Sequence, residues 1–497
     1  MRTNHIQFGS PQFRVLSDKQ MEELHLAAVQ ILERTGVTID SEEAIGLLGD
    51  SGADVSNPKR VKIPYFLVEQ ALRTVPKNII LYTRDGQPSM FLNGTRTYFG
   101  GVIDCPWYLD PYTRSRRALY VEDAASNARV IDFLPNINWV FTGAGSPSLP
   151  AGLEDKVHFV QGILNSSKTI CAGIYGKSNL KAMVEICSII RGGSKELKAK
   201  PFFVATEEVI TPLTHGRDAL EKSLICAELG IPNVIYNTMM AGATCPATFA
   251  GALAMANAEI LSHIVVTQLK NPGAPIIYGG QPNVMEMSTL TFCYGTPELN
   301  LHVAALCELS HLFYKLPFYG TAGTTDAESI GVQAGWELMF ECLASALSGA
   351  DFVHDTGLMG HCSMTSPELM VLHDEMVGMV NAFMGGIEIS DETLALDLID
   401  RVGPGGNYLT EAHTLKHFTK FWVPRLLDRT PLTPDQNESV NPCEERINKK
   451  AREIIETHTP VPLPGEIVKE IKKVEESWFK EAGVKFEYPK RPKIKSK

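Results

Sequence analysis

The sequence predicts an α/β protein built around a (β/α)8 TIM barrel. Between Tyr98 and Met359, eight short apolar runs alternate with longer amphipathic runs. Each short run is rich in Val, Ile, Phe and Tyr, which is typical of a strand buried on both faces. Strands that alternate with helices pair in parallel through right-handed crossovers, and eight such units close a barrel. The runs begin near Tyr98, Asn138, Thr169, Phe202, Asn233, Pro275, Pro317 and Asp351.

The remaining residues extend the barrel at both ends. A bare barrel needs about 250 residues, whereas this chain has 497. Residues 1–97 predict three helices followed by a β-hairpin, and the hairpin covers one end of the barrel. We assign residues 98–385 to the barrel and residues 386–497 to a helical C-terminal extension.

The charge and hydropathy of the chain argue against several classes of protein. The net charge is −11, which disfavours binding to nucleic acid or to an anionic membrane surface. No uninterrupted apolar run reaches about 18 residues, so we expect no membrane span. Residues 1–16 lack the apolar segment of a signal peptide, which predicts a cytoplasmic protein. The Ala- and Gly-rich helices favour a homo-oligomer.

The cysteines and histidines do not form a recognisable metal motif. The ten cysteines are scattered without a CxxC pair, and we expect buried, reduced thiols. His361-Cys362 is an adjacent pair without an evident third ligand, and His413 and His417 lie one helical turn apart. Neither arrangement outweighs an ordinary structural role, so we predict no metal site. Nucleotide-binding glycine motifs and a GxSxG elbow are also absent from the sequence.

Functional residues of this fold lie at the mouth, the opening at the carboxyl ends of the eight strands. The residues there include several tyrosines and carboxylates but no lysine or arginine. Because side chains alternate along a strand, only about half of them can face the mouth. Trp107 and Tyr108 follow the first strand, and the candidates at the other strand ends are Thr142, Tyr175, Glu207, Glu208, Tyr236, Asn237, Tyr278, Gln281, Tyr319, Thr321, His354 and Asp355.

Four segments, together with the N-terminal helices, resemble the trimethylamine methyltransferase family, and specifically its members without pyrrolysine. These segments are GTAGTTDAESIGVQAGWE at 320–337, ADFVHDTG at 350–357, GPGGNYLTEAHTL at 403–415 and FWVPRLLDR at 421–429. The resemblance implies a TIM barrel whose mouth receives a corrinoid-carrying partner protein. It implies transfer of a methyl group from an amine to cob(I)alamin, in anaerobic one-carbon metabolism. We expect the pyrrolysine of relatives to align within residues 321–326.

The substrate implied for members without pyrrolysine is a quaternary amine, with glycine betaine as the best-known case. Such a substrate leaves as a neutral tertiary amine, so no proton has to be delivered. The protein then needs a water-poor cage for the cation, and aromatic rings provide one. We expect catalytic roles for His354, Asn237 and Glu207. We expect substrate binding by Trp107, Tyr108, Tyr175, Tyr236, Tyr278, Gln281 and Glu208.

Alternative functions remain open at this point. Carnitine, γ-butyrobetaine and proline betaine also carry a quaternary nitrogen. A metal-dependent TIM-barrel lyase or an aldolase would use Lys177, or the carboxylates of Glu207, Glu208 and Asp355. A third alternative is a non-catalytic subunit that binds a betaine within a methyl-transfer complex.

Overall fold

The computed structural model describes residues 11, 13–143, 145–146, 148–431 and 442–491. Residues 1–10 and 12 of the N-terminal segment that predicts the localisation, and parts of the C-terminal extension, lie outside the described residues. The first helix begins with a capping box between Ser17 and Gln20, which satisfies backbone donors of its first turn. The N-terminal elements are α1 (Asp18–Gln30), a π-helical turn (Ile31–Thr35), α2 (Glu42–Asp50), α3 (Tyr65–Thr74), β1 (Ile79–Tyr82) and β2 (Pro88–Leu92).

Eight parallel strands form a closed barrel in the order of the sequence, and the last strand pairs with the first. Each strand begins within one residue of its predicted start, so the predicted fold class is confirmed. The strands are β3 (Tyr98–Val102), β4 (Ile137–Thr142), β5 (Thr169–Gly173), β6 (Phe203–Val209), β7 (Asn233–Ala241), β8 (Ile276–Gly279), β9 (Phe318–Thr321) and β10 (Phe352–Thr356).

A helix follows every barrel strand, and short strands decorate the mouth and the outer wall. The helices are α4 (Val121–Phe133), α5 (Glu154–Asn165), α6 (Lys177–Arg191), α7 (Ser194–Ala199), α8 (Arg217–Leu229), α9 (Phe249–Lys270), α10 (Pro297–Glu308) with a π-helical turn (Leu309–Tyr314), α11 (Val332–Ser348) and α12 (Pro367–Met384). The short strands are Thr38–Ile39, Trp107–Leu109, Arg116–Ala118, Thr214–His215, Gln281–Glu286, Thr291–Phe292, Leu358–Met359 and Met364–Thr365.

Apolar side chains fill the amino-terminal half of the barrel. The rings of Trp139 and Phe352 stack with centroids 3.9 Å apart. Gly100 makes room for this pair, because a Cβ atom there would lie 2.1 Å from the Trp139 ring. The hairpin of β1 and β2 seals this end: Leu81 and Met90 belong to the same cluster. The open end of the barrel is therefore the mouth.

Two of the predicted site residues point outward from the barrel, so their expected position in the mouth is wrong. Glu207 extends behind β6, where its carboxylate lies 2.9 Å from Nζ of Lys222 on α8. Asn237 extends behind β7, where its Nδ2 donates to Glu259 on α9 at 2.8 Å. Neighbouring residues of a strand face opposite sides. The residues that precede and follow Glu207 and Asn237 therefore face the barrel interior.

Two predicted cage tyrosines are also placed away from the mouth interior. Tyr278 lies on the outer face of β8, and its hydroxyl donates to Oδ1 of Asn257 on α9 at 3.0 Å. Tyr108 is buried on the short strand Trp107–Leu109, with the Arg117 guanidinium 4.6 Å from its ring centroid. That face of the Tyr108 ring is therefore already occupied by a cation of the protein itself.

Helix α9 is long and apolar enough to cross a membrane by length and composition, yet it lies in the core. Of its most apolar window, 83% is buried within the structure. It packs against α1, α3 and α8 and against β7. Its apolar surface is thus covered by the fold, as expected for a core helix.

The C-terminal extension has two differently packed parts. Helix α16 (Cys443–Thr457) packs against α4 and α12, and α17 (Gly465–Glu481) packs against α6. The segment between α12 and residue 431, which we call the arm, contains α13 (Asp391–Leu394), α14 (Leu396–Val402), α15 (Ala412–His417) and a 3-10 turn (Phe418–Lys420). None of the arm helices contains a buried residue. The division at residues 97 and 385 stays our proposed domain organisation.

We predict that Glu259→Gln removes a pH-dependent part of the stability. Burial raises the pKa of Glu259 to about 8 from a usual value of 4.5, despite hydrogen bonds from Leu213 N–H and Asn237. The raised pKa adds to the free energy of unfolding. This contribution is fully present below pH 4.5 and is lost as the pH rises towards 8. The free energy of unfolding of the variant, relative to the wild type, should therefore increase from pH 5 to pH 9, by at most about 5 kcal/mol.

Melting temperatures measured across this pH range test the prediction. Exposed Glu466 on α17 offers a matched control, and Glu466→Gln should follow the wild-type profile at every pH. A Glu259→Gln difference that stays constant between pH 5 and pH 9 contradicts the neutral state of this carboxyl group.

Candidate active site

Five aromatic side chains surround the mouth, and we call them the cage: Phe141, Tyr236, Tyr294, Tyr319 and His354. The rings of Tyr319 and His354 stack at 4.3 Å with an interplanar angle of 7°. Tyr236 lies 5.6 Å from Tyr319, and Phe141 lies 6.4 Å from His354, between ring centroids. Four of the rings therefore come from β4, β7, β9 and β10, and they are positioned by the barrel itself.

Strand alternation explains why these rings face inward. Trp139, Val234 and Phe352 belong to the apolar cluster inside the barrel. Phe141, Tyr236 and His354 each lie two residues further along the same strands, and they share the inward side with those neighbours. These three rings of the cage thus follow the apolar cluster directly along the barrel interior.

The carboxylate of Asp355 is fixed beside His354 by an unusual backbone conformation. Asp355 has a φ of 88°, a left-handed value that is rare outside glycine and costs of order 1–3 kcal/mol. This conformation breaks the alternation, so two successive side chains reach the mouth. His354 Nδ1 donates to one carboxylate oxygen, and Thr321 Oγ1 donates to the other at 2.5 Å.

Glu208 provides a second carboxylate at the end of β6. Its Oε2 accepts a hydrogen bond from the Tyr236 hydroxyl at 3.3 Å, and its side chain remains exposed. Among the described residues, no lysine or arginine forms a hydrogen bond, an ion pair or a cation–π contact with Glu208, Asp355 or the cage rings. The mouth is therefore an aromatic and acidic surface, suited to a cation.

Tyr294 reaches the cage from the long connection between β8 and α10. Its backbone N–H and that of Gly295 donate to the Asp326 carboxylate at 2.9 and 3.0 Å. Asp326 in turn pairs with Nδ1 of His361 at 2.9 Å. The loops that follow β8, β9 and β10 are thus tied together, and the Tyr294 side chain lies beside Cys362.

The cage tyrosines are neutral over the physiological pH range. Burial is the main cause that raises the pKa of Tyr236, Tyr294 and Tyr319 well above the usual value of 10, and nearby acidic groups raise it further. For Tyr236 the next cause is the adjacent Glu208 carboxylate. Neutral phenol rings keep the electron-rich faces that attract cations.

Three predicted binding residues lie around the cage rather than in it. Tyr175 is 57% exposed, and its hydroxyl donates to the Gly143 carbonyl at 3.2 Å. Trp107 is 41% exposed, with the Arg116 guanidinium 5.2 Å from its ring centroid. Gln281 is buried and donates to Thr238 Oγ1 at 2.9 Å, while its Oε1 has no hydrogen-bond partner among the described residues.

Of the residues to which the sequence assigned a role, Tyr236, Glu208 and His354 come together in the mouth. Tyr319, Thr321 and Asp355 were candidates without an assigned role, and they prove central. Phe141 and Tyr294 were missed. The spacing of Phe141 from the bulky Trp139 could have identified the first, whereas Tyr294 lies outside any strand and carries no sequence signal.

Comparison with known proteins places the chain in a family. The family model of trimethylamine methyltransferase (MTTB) matches residues 1–476. Trimethylamine methyltransferase MttB of Desulfitobacterium hafniense strain DSM 10664 / DCB-2 is 31% identical over 473 residues, with 94% of each chain covered. Glycine betaine methyltransferase of D. hafniense strain Y51 is 30% identical over 463 residues, covering 92% of this chain and 95% of the relative.

Relatives of lower sequence identity are also named as methyltransferases of methylated amines. Trimethylamine methyltransferase MttB of Methanosarcina thermophila is 28% identical over 468 residues, covering 93% of this chain and 96% of the relative. The solved structure of the Methanosarcina barkeri monomethylamine methyltransferase MtmB aligns with 95% of this chain and 89% of its own, at 11% identity and a TM-score of 0.49.

The alternative of a lyase or an aldolase is not supported. The full-length match to the family model shows that this chain belongs to the trimethylamine methyltransferase (MTTB) family and is a methyltransferase.

Proposed function

We propose that this protein removes a methyl group from a quaternary amine and transfers it to the corrinoid of a partner protein. The observation that carries the proposal is the cage, in which aromatic rings and two carboxylates meet and, among the described residues, no lysine or arginine contacts them. A relative that is 30% identical is named glycine betaine methyltransferase, which supports a quaternary substrate. Carnitine, γ-butyrobetaine and proline betaine share the quaternary nitrogen, and glycine betaine is the reference compound for this group.

The cage binds a permanent cation through two physical effects. Each aromatic face contributes about 0.5–2 kcal/mol to binding of an ammonium group. Glu208 and Asp355 add electrostatic attraction, which is stronger in a mouth from which the substrate displaces water. Burial of Tyr319, His354 and Asp355, each less than 10% exposed, limits the water around the site.

The reaction needs no proton transfer. The bond between nitrogen and the methyl carbon breaks, its electron pair stays on nitrogen, and the leaving group is a neutral tertiary amine. The electron pair for the new bond to the methyl carbon would come from the corrinoid that the partner carries. The residues of this chain therefore bind the cation, orient one methyl group towards the opening and exclude water.

The exposed residues around the mouth fit an incoming partner that carries the corrinoid. Trp107 and Tyr175 are large, partly exposed side chains at strand ends, and they are the residues that we assign to contact with the corrinoid or its carrier. Gln281 is a further polar group at this face, and its buried Oε1 has no hydrogen-bond partner in the part of the chain that the structure describes. We place this exchange in the cytoplasm, which stays a prediction from the sequence.

We also propose that the arm joins two copies of the chain. Six of its apolar side chains are more than 70% exposed: Ile387, Ile389, Leu409, Leu415, Phe421 and Val423. Interfaces between permanent subunits are large and apolar, whereas a partner that leaves after each transfer needs a smaller contact. The arm therefore suits a second copy of this chain rather than the corrinoid protein.

Methyl transfer to free cob(I)alamin tests the proposed activity. Under anaerobic conditions, the protein mixed with cob(I)alamin and glycine betaine, choline or tetramethylammonium should produce the absorption spectrum of methylcobalamin with at least one of these compounds. Omission of the protein or of the amine should prevent the change. If none of these amines methylates cob(I)alamin although they bind, the chain is a non-catalytic binding subunit and the proposed activity is wrong.

A substitution in the cage should weaken binding of the quaternary amine. Tyr319→Leu removes an aromatic face while keeping a smaller apolar side chain, and we expect the Kd for tetramethylammonium to rise about 5- to 30-fold. Tyr278→Phe is the matched control, because this hydroxyl bonds to Asn257 behind the barrel and should leave the Kd unchanged. Titration calorimetry measures both, and equal affinities of Tyr319→Leu and wild type would exclude this cage as the cation site.

Charged residues in the arm should break the assembly. The wild type should have a mass in solution that is a multiple of 54.6 kDa. The double variant Leu409→Glu, Leu415→Glu should shift towards the single-chain mass, because carboxylates in an apolar interface are not solvated. Leu26→Glu on α1 serves as a control that keeps the wild-type mass. Multi-angle light scattering measures the mass of each protein in solution, and a single-chain mass for the wild type contradicts the proposal.

A further inference from the structure

The chain segment that builds nearly half of the mouth is depleted of cations. Residues 271–400 contain 17 Asp and Glu residues but only one lysine or arginine, Lys315. This segment supplies β8, β9 and β10 and all three loops that follow them. Lys315 precedes β9, and it therefore lies at the amino-terminal end of the barrel, away from the mouth. This side of the mouth thus has no lysine or arginine to neutralise an anion.

Cations that follow the other strands are engaged elsewhere. Arg117 pairs with Asp110 and Asp123, both below 10% exposed. Lys222 pairs with Glu207 behind β6. Other cations near the strand ends also contact groups outside the cage: Arg114 with Glu445, Arg116 over the Trp107 ring, Lys156 over the Trp478 ring, Lys177 with Glu221, Arg217 with Asp40 and Arg491 with Asp110. Among the described residues, none of these contacts involves Glu208, Asp355 or a ring of the cage.

Two carboxylates line the cage, and one of them is hydrogen-bonded to the histidine of the cage. Glu208 is exposed into the mouth, and Asp355 holds His354 through the Nδ1 hydrogen bond. In glycine betaine one methylene separates the nitrogen from the carboxylate, so the two charges lie about 3 Å apart. A nitrogen bound in the cage would therefore bring the substrate carboxylate close to these two carboxylates.

The size of this repulsion is large enough to decide specificity. The repulsion between two like unit charges about 6 Å apart weakens the binding affinity by a factor of roughly 100 at an effective dielectric constant of about 20. An uncharged substituent on the nitrogen avoids that cost completely. A hydroxyl group on that substituent adds a favourable contact. Glu208 Oε2 accepts a hydrogen bond from the Tyr236 hydroxyl, and the exposed carboxylate can accept a second one from the substrate.

We propose that the substrate is a quaternary ammonium compound whose remaining substituent is uncharged, of the choline type, rather than an amino-acid betaine. The inference rests on the proposed function, since it names the substrate class of the same cage. It also assigns a role to Glu208, which acts as the residue that rejects a substrate carboxylate while it attracts the cation.

Titration calorimetry with tetramethylammonium, choline and glycine betaine tests this inference on the intact protein. We expect tetramethylammonium and choline to bind at least tenfold more tightly than glycine betaine. Glu208→Gln should reduce that ratio to threefold or less, because the neutral amide no longer repels the carboxylate. Glu466→Gln on α17 should leave the ratio unchanged. Each measurement compares ligands on one protein, so a general loss of affinity does not imitate the expected change.

Several results would overturn the inference. These are equal or tighter binding of glycine betaine by the wild type, a ratio that Glu208→Gln does not alter, and binding of none of the three cations. Methyl transfer from glycine betaine alone would overturn it as well, while the proposed methyltransferase activity would stand. Conversely, the expected binding ratio without methyl transfer from any compound would refute the activity and leave the specificity of the cage in place.

Discussion

Closure of the eight-stranded ring is the constraint on which the rest of this structure depends. The pairing of β10 with β3 turns an open sheet into a barrel, and each inward residue then faces the residues of the other strands across a shared interior. The stacked rings of Trp139 and Phe352 and the β1–β2 hairpin fill the amino-terminal half. The cage lies directly above this filling and shares Tyr319 with it. The site is thus a continuation of the core in which polar groups replace the apolar ones.

The chemistry of the cage follows from its charge. Neutral phenol rings and carboxylates attract a cation, but the substrate nitrogen loses its positive charge as its bond to carbon breaks. A carboxylate near that nitrogen therefore stabilises the bound substrate more than the transition state. In the proposed function, Glu208 and Asp355 therefore serve binding and selection, whereas the rate depends on orientation of the methyl group and on exclusion of water. The left-handed backbone at Asp355 is the strained feature that places its carboxylate there.

The sequence allowed the barrel to be predicted almost to the residue, because eight buried apolar runs carry a strong periodic signal. It did not reveal which face of each strand is inward. Glu207 and Glu208 are neighbours with the same chemistry, yet one pairs with Lys222 behind the barrel and the other lies in the mouth. Asn237 and Tyr278 were misplaced for the same reason. The position of Tyr294 could not be predicted, because it depends on a hydrogen bond from its backbone N–H to Asp326, which lies in a different loop.

The position of a bound quaternary cation is the most direct test of the central claim. Tetramethylarsonium has the shape and charge of tetramethylammonium, and its arsenic atom is located unambiguously by anomalous X-ray scattering. In crystals soaked with this cation, we expect one arsenic site within about 6 Å of the ring centroids of Tyr236 and Tyr319, on the side of the Glu208 carboxylate. An arsenic site elsewhere on the protein, with the cage left vacant, would contradict the account.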